Sequence, residues 1–231
     1  MKKKLVVLTG AGMSAESGIS TFRDSGGLWD QYNVEDVATP EGFDRNPKLV
    51  LDFYNMQRRK LIAAKPNAGH YGLAELEKLF EVHIVTQNID NLHERAGSTH
   101  VIHLHGELMK SCSVRNLNKA YDIPIDNPDL HIGDKAPDGK QLRPFIVWFG
   151  EDVPMIQPSI ELVEHCDIFV VIGTSLNVYP AAGLLNYVND GQPIYLIDPK
   201  EVKTWRNDVH FIRKGASEGV KELSELLKAK A

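Results

Sequence analysis

Cysteine and long apolar runs are both scarce in this 231-residue chain. Cys112 and Cys166 are the only cysteines, so the sequence encodes no disulfide framework of the kind that supports small secreted domains. The apolar run after the N-terminal lysines is soon interrupted by glycine and is too short for a signal peptide. No stretch is long enough to span a membrane. We therefore expect a cytoplasmic protein with no membrane partner.

An excess of positive charge is lacking as well. The chain has 26 Lys and Arg against 31 Asp and Glu, which gives a formal net charge of −5. This balance gives no support to a nucleic-acid partner, whose phosphates would call for a basic surface. Hydrophobic residues make up 42%, as in ordinary soluble proteins. The length suits one large domain, or one domain with a smaller one inserted.

Short apolar runs alternate with helical patterns along most of the chain. Continuous apolar runs are typical of strands buried on both faces of a parallel sheet, and their alternation with helices predicts an α/β, doubly wound fold. Strands are expected at Leu5–Thr9, Val82–Thr86, Val101–Leu104, Phe145–Phe149, Ile168–Ile172 and Ile194–Ile197. Helices are expected at Asn67–Leu79, Pro158–Cys166, Pro180–Asn189 and Glu218–Ala229.

Two segments interrupt this alternation. Residues 30–65 contain a predicted helix, Pro47–Ala64, with Asn46 as its N-cap. Residues 110–143 are rich in Asn, Asp, Pro and Gly and show no periodicity, which indicates a loop-rich insertion. We expect both segments to form a small second lobe.

The turn after the first strand carries a dinucleotide-binding pattern. Gly10-x-Gly12-x-x-Ala15 follows an apolar strand, and glycine there lets the backbone approach a pyrophosphate. An ordinary tight turn is the alternative. Gly18, with two further glycines at 26 and 27, argues against one long helix after this turn.

Polar residues follow three more of the predicted strands. They are Gln87-Asn88-Ile89-Asp90, Gly173-Thr174-Ser175 and Asp198. Open α/β sheets bind ligands where parallel strands end. Amides and carboxylates there can bond ribose hydroxyls, and backbone N–H groups suit phosphate. Each cluster alone could be a helix cap or a βα turn, but the recurrence at strand ends predicts a nucleotide pocket.

Two histidines, His103 and His105, end another predicted strand and point to one face. A metal site is one interpretation, but no carboxylate or cysteine stands at metal-ligand spacing from them. His105 is better placed as a general base near neutral pH, whereas His103 is expected to be structural and bonded to the backbone. Trp148 is expected in the core.

Six blocks together resemble the sirtuins, the NAD-dependent protein-lysine deacylases, in both order and spacing. The resemblance implies a Rossmann-like NAD-binding domain of residues 1–29, 66–109 and 144–231, with a small lobe of residues 30–65 and 110–143. The blocks are GAGMSAESGISTFRD from residue 10, KPNAGH from 65, TQNIDNLHERAG from 86, HLHGEL from 103, LRPFIVWFGE from 142 and GTSLNVYPAAGL from 173.

The resemblance also implies the reaction and its residues. In sirtuins the acyl-lysine carbonyl oxygen attacks the ribose of NAD as nicotinamide departs, and a histidine then activates a ribose hydroxyl. The implied catalytic residues are His105 and Asn88. The implied substrate-binding residues, for acyl-lysine in a protein or peptide, are Tyr54, Gln57, Val147 and Phe149. The implied cofactor-binding residues are Gly10, Ala11, Gly12, Ala15, Glu16, Phe22, Arg23, Trp29, Gln87, Asn88, Ile89, Asp90, His105, Gly173, Thr174, Ser175, Asp198 and Ala216.

Two departures from the family pattern bear on function. Most sirtuins hold a structural zinc with two cysteine pairs, but this small lobe has only Cys112. We therefore expect no metal, and apolar packing through Tyr121, Ile123, Ile125 and Leu130 instead. The second departure is Gln57. It stands where the succinyl-removing branch has the arginine of a Tyr-x-x-Arg pair, which predicts deacetylation at least equal to desuccinylation.

The alternatives to a deacylase are a sirtuin-like ADP-ribosyltransferase or NAD hydrolase, and a non-catalytic NAD-binding module. The presence of His105 and of the VWFGE segment favours deacylation. The sequence does not indicate an oligomeric state.

Overall fold

The structure is a computed structural model that describes residues 2–21 and 31–229. Its strands are β1 (Lys4–Thr9), β2 (Glu81–Thr86), β3 (Val101–His103), β4 (Gly106–Ser113), β5 (Asn116–Asp122), β6 (Leu142–Ile146), β7 (Ile168–Ile172), β8 (Ile194–Ile197) and β9 (Val209–Ile212). Its α-helices are α1 (Gly12–Ala15), α2 (Val34–Val37), α3 (Pro40–Arg45), α4 (Pro47–Ala63), α5 (Ala68–Leu76), α6 (Leu92–Arg95), α7 (Ile156–Glu164) and α8 (Ala216–Lys228), and residues Ala181–Tyr187 form a 3₁₀-helix.

Six strands form one parallel sheet in the order β3-β2-β1-β7-β8-β9. Counted within this sheet alone, that is the 3-2-1-4-5-6 order of the Rossmann fold, whose strand order reverses between β1 and its neighbour β7. The predicted doubly wound α/β fold is therefore confirmed. The sequence analysis missed β9, because this short edge strand is exposed at two of its four positions and lacks a continuous apolar run.

The sheet is covered on both faces, which explains the uninterrupted apolar strands. Leu5 and Val7 of β1 pack on one side in a core that includes residues of α5 and α8. Val6 and Leu8 pack on the other side with residues of α7 and the 3₁₀-helix. Successive side chains of a strand point to opposite faces, so a central strand needs apolar residues at every position.

The predicted helices are present with shifted ends. The helix expected at Asn67–Leu79 is α5, which Asn67 caps by accepting from Gly69 N at 2.9 Å. The segment Pro180–Asn189 forms the 3₁₀-helix Ala181–Tyr187 instead of an α-helix. Within the described chain, no helix is both long and apolar enough to cross a membrane.

A second sheet corrects two expectations. β4, β5 and β6 form an antiparallel sheet in the order β5-β4-β6, so residues 110–143 are not merely loop-rich. Their strand β5 is exposed at nearly every position, which removes the apolar alternation that would have revealed it. The strand expected at Phe145–Phe149 is Leu142–Ile146 and belongs to this antiparallel sheet, not to the parallel one. The small sheet crosses both boundaries expected for the second insertion, because β4 begins before residue 110 and β6 ends after residue 143.

The small lobe has an apolar core of its own. Its members include Leu51, Phe53, Ile123, Leu130 and Trp148. Ile123 and Leu130 are buried as expected, but Ile125 is 70% exposed, so that part of the packing prediction was wrong. Among the residues described, no group of three or more His, Cys, Asp or Glu could hold a metal ion.

A buried polar clamp joins α4 to the second insertion. Asn55 donates to Leu130 O at 2.9 Å and accepts from Leu130 N at 2.9 Å. Arg58 donates through Nε to Leu108 O at 2.8 Å and through Nη1 to Pro128 O at 2.7 Å. Burial lowers the pKa of Arg58 to about 10. The guanidinium therefore links three segments that are distant in sequence.

We expect Arg58→Met to lower the free energy of unfolding by about 2–4 kcal/mol, because it leaves the buried carbonyls of Leu108 and Pro128 without donors. The matched control is Arg59→Met, which removes an exposed side chain that pairs with Asp129 and should change stability little. Urea denaturation of the three proteins measures the difference. Equal stabilities for the two variants would contradict the clamp.

Candidate active site

The turns that follow β1 and β7 pack backbone against backbone. Gly12 N donates to Gly173 O at 2.9 Å. A Cβ on Gly173 would lie 2.3 Å from Met13 N, and one on Gly10 would lie 2.7 Å from Gly173 O. Gly173 also has a φ of +63°, a backbone conformation that favours glycine. The glycines of the predicted fingerprint are thus required, first of all, by the contact between the two turns.

The same two turns present backbone donors. Within the described residues, the N–H groups of Ala11, Thr174 and Ser175 have no hydrogen-bond acceptor. Gln87 reaches across from β2 and donates to Thr174 Oγ1 at 3.2 Å. Unpaired N–H groups at strand-end turns are suited to a phosphate or diphosphate, so these residues fit the group that the sequence predicted there.

Three consecutive backbone carbonyls after β2, those of residues 87–89, are each held by a donor from residues 103–108. His105 Nδ1 donates to the first at 3.0 Å, and His103 Nδ1 donates to the second at 3.0 Å. Leu108 N donates to the third at 2.7 Å. We call residues 87–89 the latched segment, since these three bonds fix its path beside the β1 and β7 turns.

The bond to the latched segment determines the chemistry of His105. A carbonyl can only accept, so Nδ1 carries the proton and Nε2 carries a lone pair when the ring is neutral. Burial lowers the pKa of His105, which keeps the ring neutral at physiological pH. His105 O also accepts from Val147 N at 2.9 Å. The ring is therefore a ready base next to the segment predicted to bind substrate.

Asn88 and Asp90 are almost fully buried, at 5% and 4% exposure. Asn88 Nδ2 donates to Gly10 O at 3.0 Å and lies 3.2 Å from Ser14 Oγ. Ser14 Oγ donates to Asp90 Oδ2 at 2.8 Å, and Leu92 N donates to Asp90 Oδ1 at 3.1 Å. Burial raises the pKa of Asp90. The hydrogen bonds of Asn88 thus join the latched segment to the β1 turn, and that of Asp90 joins the following residue to Ser14 of α1.

A buried histidine pair lies behind these residues and was not predicted. The rings of His70 and His93 are 4.8 Å apart. His93 Nε2 lies 3.1 Å from Thr9 Oγ1, and His70 Nε2 lies 3.5 Å from Ser14 Oγ. Burial lowers the pKa of His70 to about 4 and the pKa of His93 well below its usual value. Both histidines belong to the sirtuin-like blocks, but their partners come from other elements, and sequence spacing does not reveal such partners.

The residues predicted for the adenosine end lie at the ends of β8 and β9. Asp198 N lies 3.3 Å from Ile212 O, and Asp198 Oδ1 accepts from the backbone N of residue 200 at 2.8 Å. Ala216 is buried at the start of α8. Glu16 accepts from Ser217 N at 3.1 Å, so its carboxylate caps α8 and faces the positive end of that helix.

On the small-lobe side, Tyr54 and Gln57 are buried in α4. Tyr54 OH accepts from Trp148 Nε1 at 3.0 Å, and burial raises the pKa of Tyr54 well above its usual range. Gln57 is 9% exposed, and its Nε2 donates to no acceptor among the described residues. Gln57 thus offers an unused amide donor one helical turn from Tyr54.

A buried ion pair supports the segment that carries Val147 and Phe149. Arg143 Nη1 lies 2.6 Å from Glu151 Oε1, and its guanidinium carbon lies 3.3 Å from the centroid of the Trp148 ring. Glu151 also accepts from Trp148 N at 2.8 Å. Phe149 is 45% exposed, and its N–H donates to Ala38 O at 3.0 Å. This pair was missed because an Arg and a Glu eight residues apart show no periodic signal.

The structure thus connects most of the predicted site residues through contacts, from Gly10 and Gly12 to His105 and Val147. Ala15 is exposed beyond the β1 turn, and Ile89 is half-buried. Phe22, Arg23 and Trp29 lie outside the described residues.

Comparison with known proteins agrees with this geometry. The model of the Sir2 family matches residues 10–180. A protein of Bacteroides thetaiotaomicron named NAD-dependent protein deacylase is 64% identical over 229 residues, which cover 97% of this chain and 98% of that protein.

Solved structures give the same result. A mutant Sir2 homologue in complex with ADP-ribose superposes with a TM-score of 0.91 at 39% identity, covering 99% of this chain and 93% of that one. A Sir2 structure with a p53 peptide and NAD⁺ has a TM-score of 0.79 at 32% identity, covering 99% and 95%. The fold, the order of the strand-end motifs and these relatives lead to one conclusion: the chain belongs to the Sir2 family.

Proposed function

We propose that the chain is an NAD-dependent protein-lysine deacylase, which transfers an acyl group from lysine to the ADP-ribose part of NAD and releases nicotinamide. The observation that carries this proposal is His105, whose ring is fixed through Nδ1 so that Nε2 carries the lone pair, and whose backbone carbonyl accepts from Val147 N. The close relative named for this activity supports it.

The residues present fit NAD. Backbone donors of Ala11, Thr174 and Ser175 would hold the diphosphate, Asp198 the adenosine ribose, and Ala216 would border adenine. When bound, NAD supplies the ribose that receives the acyl group and nicotinamide as the leaving group. Phe22, Arg23 and Trp29 are assigned to this site by the family resemblance alone, as residues that exclude water.

The protein's own contribution is orientation and proton transfer. His105 Nε2 accepts the proton of a ribose hydroxyl, and the Gln87 carbonyl on Nδ1 sets the tautomer and stabilises the imidazolium that results. Val147 and Phe149 flank the acyl-lysine, whose peptide adds as a strand across the cleft between the two sheets. Asn88 keeps the latched segment against the β1 turn.

The test is nicotinamide release by the purified chain with NAD, with and without an acetyl-lysine peptide. A deacylase releases nicotinamide only when the acyl-peptide is present, in equal amount to the deacylated peptide. Release without acyl-peptide would indicate an NAD hydrolase or an ADP-ribosyltransferase. If no nicotinamide is released under either condition, the chain is a non-catalytic NAD-binding module.

We expect His105→Ala to reduce kcat/KM for deacylation by a factor of about 100 or more, because the general base is lost. NAD affinity, measured by calorimetry, should change little. The control is His83→Ala, which removes a histidine of β2 whose side chain bonds Glu81 and should leave turnover intact. Turnover of His105→Ala within a few-fold of the natural protein would contradict the assignment.

We also propose that deacetylation at least equals desuccinylation. Recognition of a succinyl carboxylate would call for a cation beside Tyr54, but Gln57 is neutral and Arg58 is fully buried with its guanidinium on backbone carbonyls. A charge-assisted pair is about twice as strong as a neutral hydrogen bond, so the neutral amide of Gln57 binds a succinyl carboxylate more weakly than an arginine would.

Gln57→Arg should therefore raise kcat/KM for a succinyl-lysine peptide by about tenfold relative to the acetyl version. Gln57→Met is the control for the change in size, and it should not favour the succinyl substrate. The measurement is kcat/KM for both acyl forms of one peptide. A strong succinyl preference in the natural protein would refute the proposal.

A further inference from the structure

His103 bonds two acceptors at once. Its Nδ1 lies 3.0 Å from Asn88 O, and its Nε2 lies 2.7 Å from Glu94 Oε1. The side chain is only 7% exposed. A carbonyl has no proton to give, and an ionised carboxylate has none either. Both ring nitrogens must therefore carry protons, which makes His103 an imidazolium and not the neutral ring that His105 is.

We propose that His103 is a positioning residue, a buried imidazolium charged by Glu94 that holds the Asn88 carbonyl and so keeps the latched segment in the geometry that His105 requires. The proposal rests on the deacylase function. It goes further by coupling the site to a second histidine, His103, which bonds the Asn88 carbonyl and Glu94.

The coupling follows from the count of donors. A neutral His103 would have one N–H for two acceptors, so either Glu94 or the Asn88 carbonyl would lose its partner. The carbonyls of residues 87 and 88 adjoin, and the first holds the His105 ring. If Asn88 O loses its bond to His103, the adjoining Gln87 carbonyl can shift, and the His105 ring shifts with it. A displacement of about 1 Å in catalytic geometry can lower the rate by about 100-fold.

The charges around His103 favour its protonated form. Glu94 and His93 face it from α6, Asp90 from the loop after β2, and Glu107 from β4. The charge of Lys110, in β4, helps to lower the pKa of Glu94, and its Nζ lies 2.7 Å from Glu107 Oε1. Burial by itself lowers the pKa of His103, but the bond to Glu94 and its charge outweigh burial, and the pKa is raised.

The two histidines therefore limit activity from opposite sides. His103 keeps both bonds at low pH and loses one as pH rises through its raised pKa. His105 can accept a proton at neutral pH, and it loses this ability only when its ring becomes protonated as pH falls through its lowered pKa. Deacylation should have an alkaline limb set by His103 and an acid limb set by His105.

The test is kcat/KM against pH for Glu94→Gln, from about pH 4.5 to about pH 10, with one acetyl-lysine peptide. The amide can still accept from Nε2, but it no longer stabilises the charge. We expect the alkaline limb to move to lower pH, with a loss of about tenfold at the alkaline end, and the acid limb to stay. Glu81→Gln is the matched control, since it neutralises the partner of His83, 2.9 Å away, and should leave both limbs in place.

A second measurement does not depend on turnover. In ¹⁵N-histidine spectra without NAD, both ring nitrogens of His103 should be protonated near neutral pH, and the ring should become neutral at lower pH in Glu94→Gln than in the natural protein. His103→Gln assigns the signals by their absence.

A neutral His103 in the natural protein, or superimposable pH profiles for Glu94→Gln and the natural enzyme, would overturn the proposal. If the natural protein lacks NAD-dependent deacylation altogether, the proposed function fails, and the spectra still decide whether the charged clamp exists.

Discussion

The site depends on three hydrogen bonds to the consecutive carbonyls of residues 87–89. Through them one loop takes its shape from two histidines and one backbone amide, while the loop carbonyls fix the proton on Nδ1 of each histidine ring. The lone pair of the His105 ring lies on Nε2 because its carbonyl partner on Nδ1 can only accept, and burial keeps this ring neutral. His103 is charged because a carboxylate lies on its far side. Two histidines two positions apart thus differ in protonation, because burial dominates at His105 whereas the bond to a carboxylate outweighs burial at His103.

Buried polar groups fix the relative placement of segments that apolar packing alone would allow to pack in more than one way. In the small lobe, Asn55 and Arg58 bind backbone carbonyls of the second insertion, and Arg143 with Glu151 stiffens the strand end beside Trp148. Each group is buried, so losing a partner is costly, and each fixes one relative placement of segments. Hydrophobic contacts form the core of the small lobe, and these polar bonds fix the position of its segments relative to the site.

Much of the parallel sheet could be predicted, because a strand covered on both faces is apolar over most of its length, as β1 is from Leu5 to Leu8. β5 could not, because exposure removes the pattern. His105 was predictable from its place after a strand, where parallel sheets bind ligands. The partners of His70 and His93 were not, since they come from β1 and α1, which are far away in sequence. Neighbouring residues of a helix point about 100° apart, which predicts that Arg58 points away from the Gln57 position, but only the fold shows the carbonyls that Arg58 binds.

The central claim is that His105 is the general base in the transfer of the acyl group from lysine to ADP-ribose. The most direct measurement is mass spectrometry of the nucleotide product formed from NAD and an acetyl-lysine peptide. The account predicts O-acetyl-ADP-ribose in equal amount to the deacetylated peptide. Free ADP-ribose with an unchanged acetyl-peptide, or a peptide carrying ADP-ribose, would contradict it.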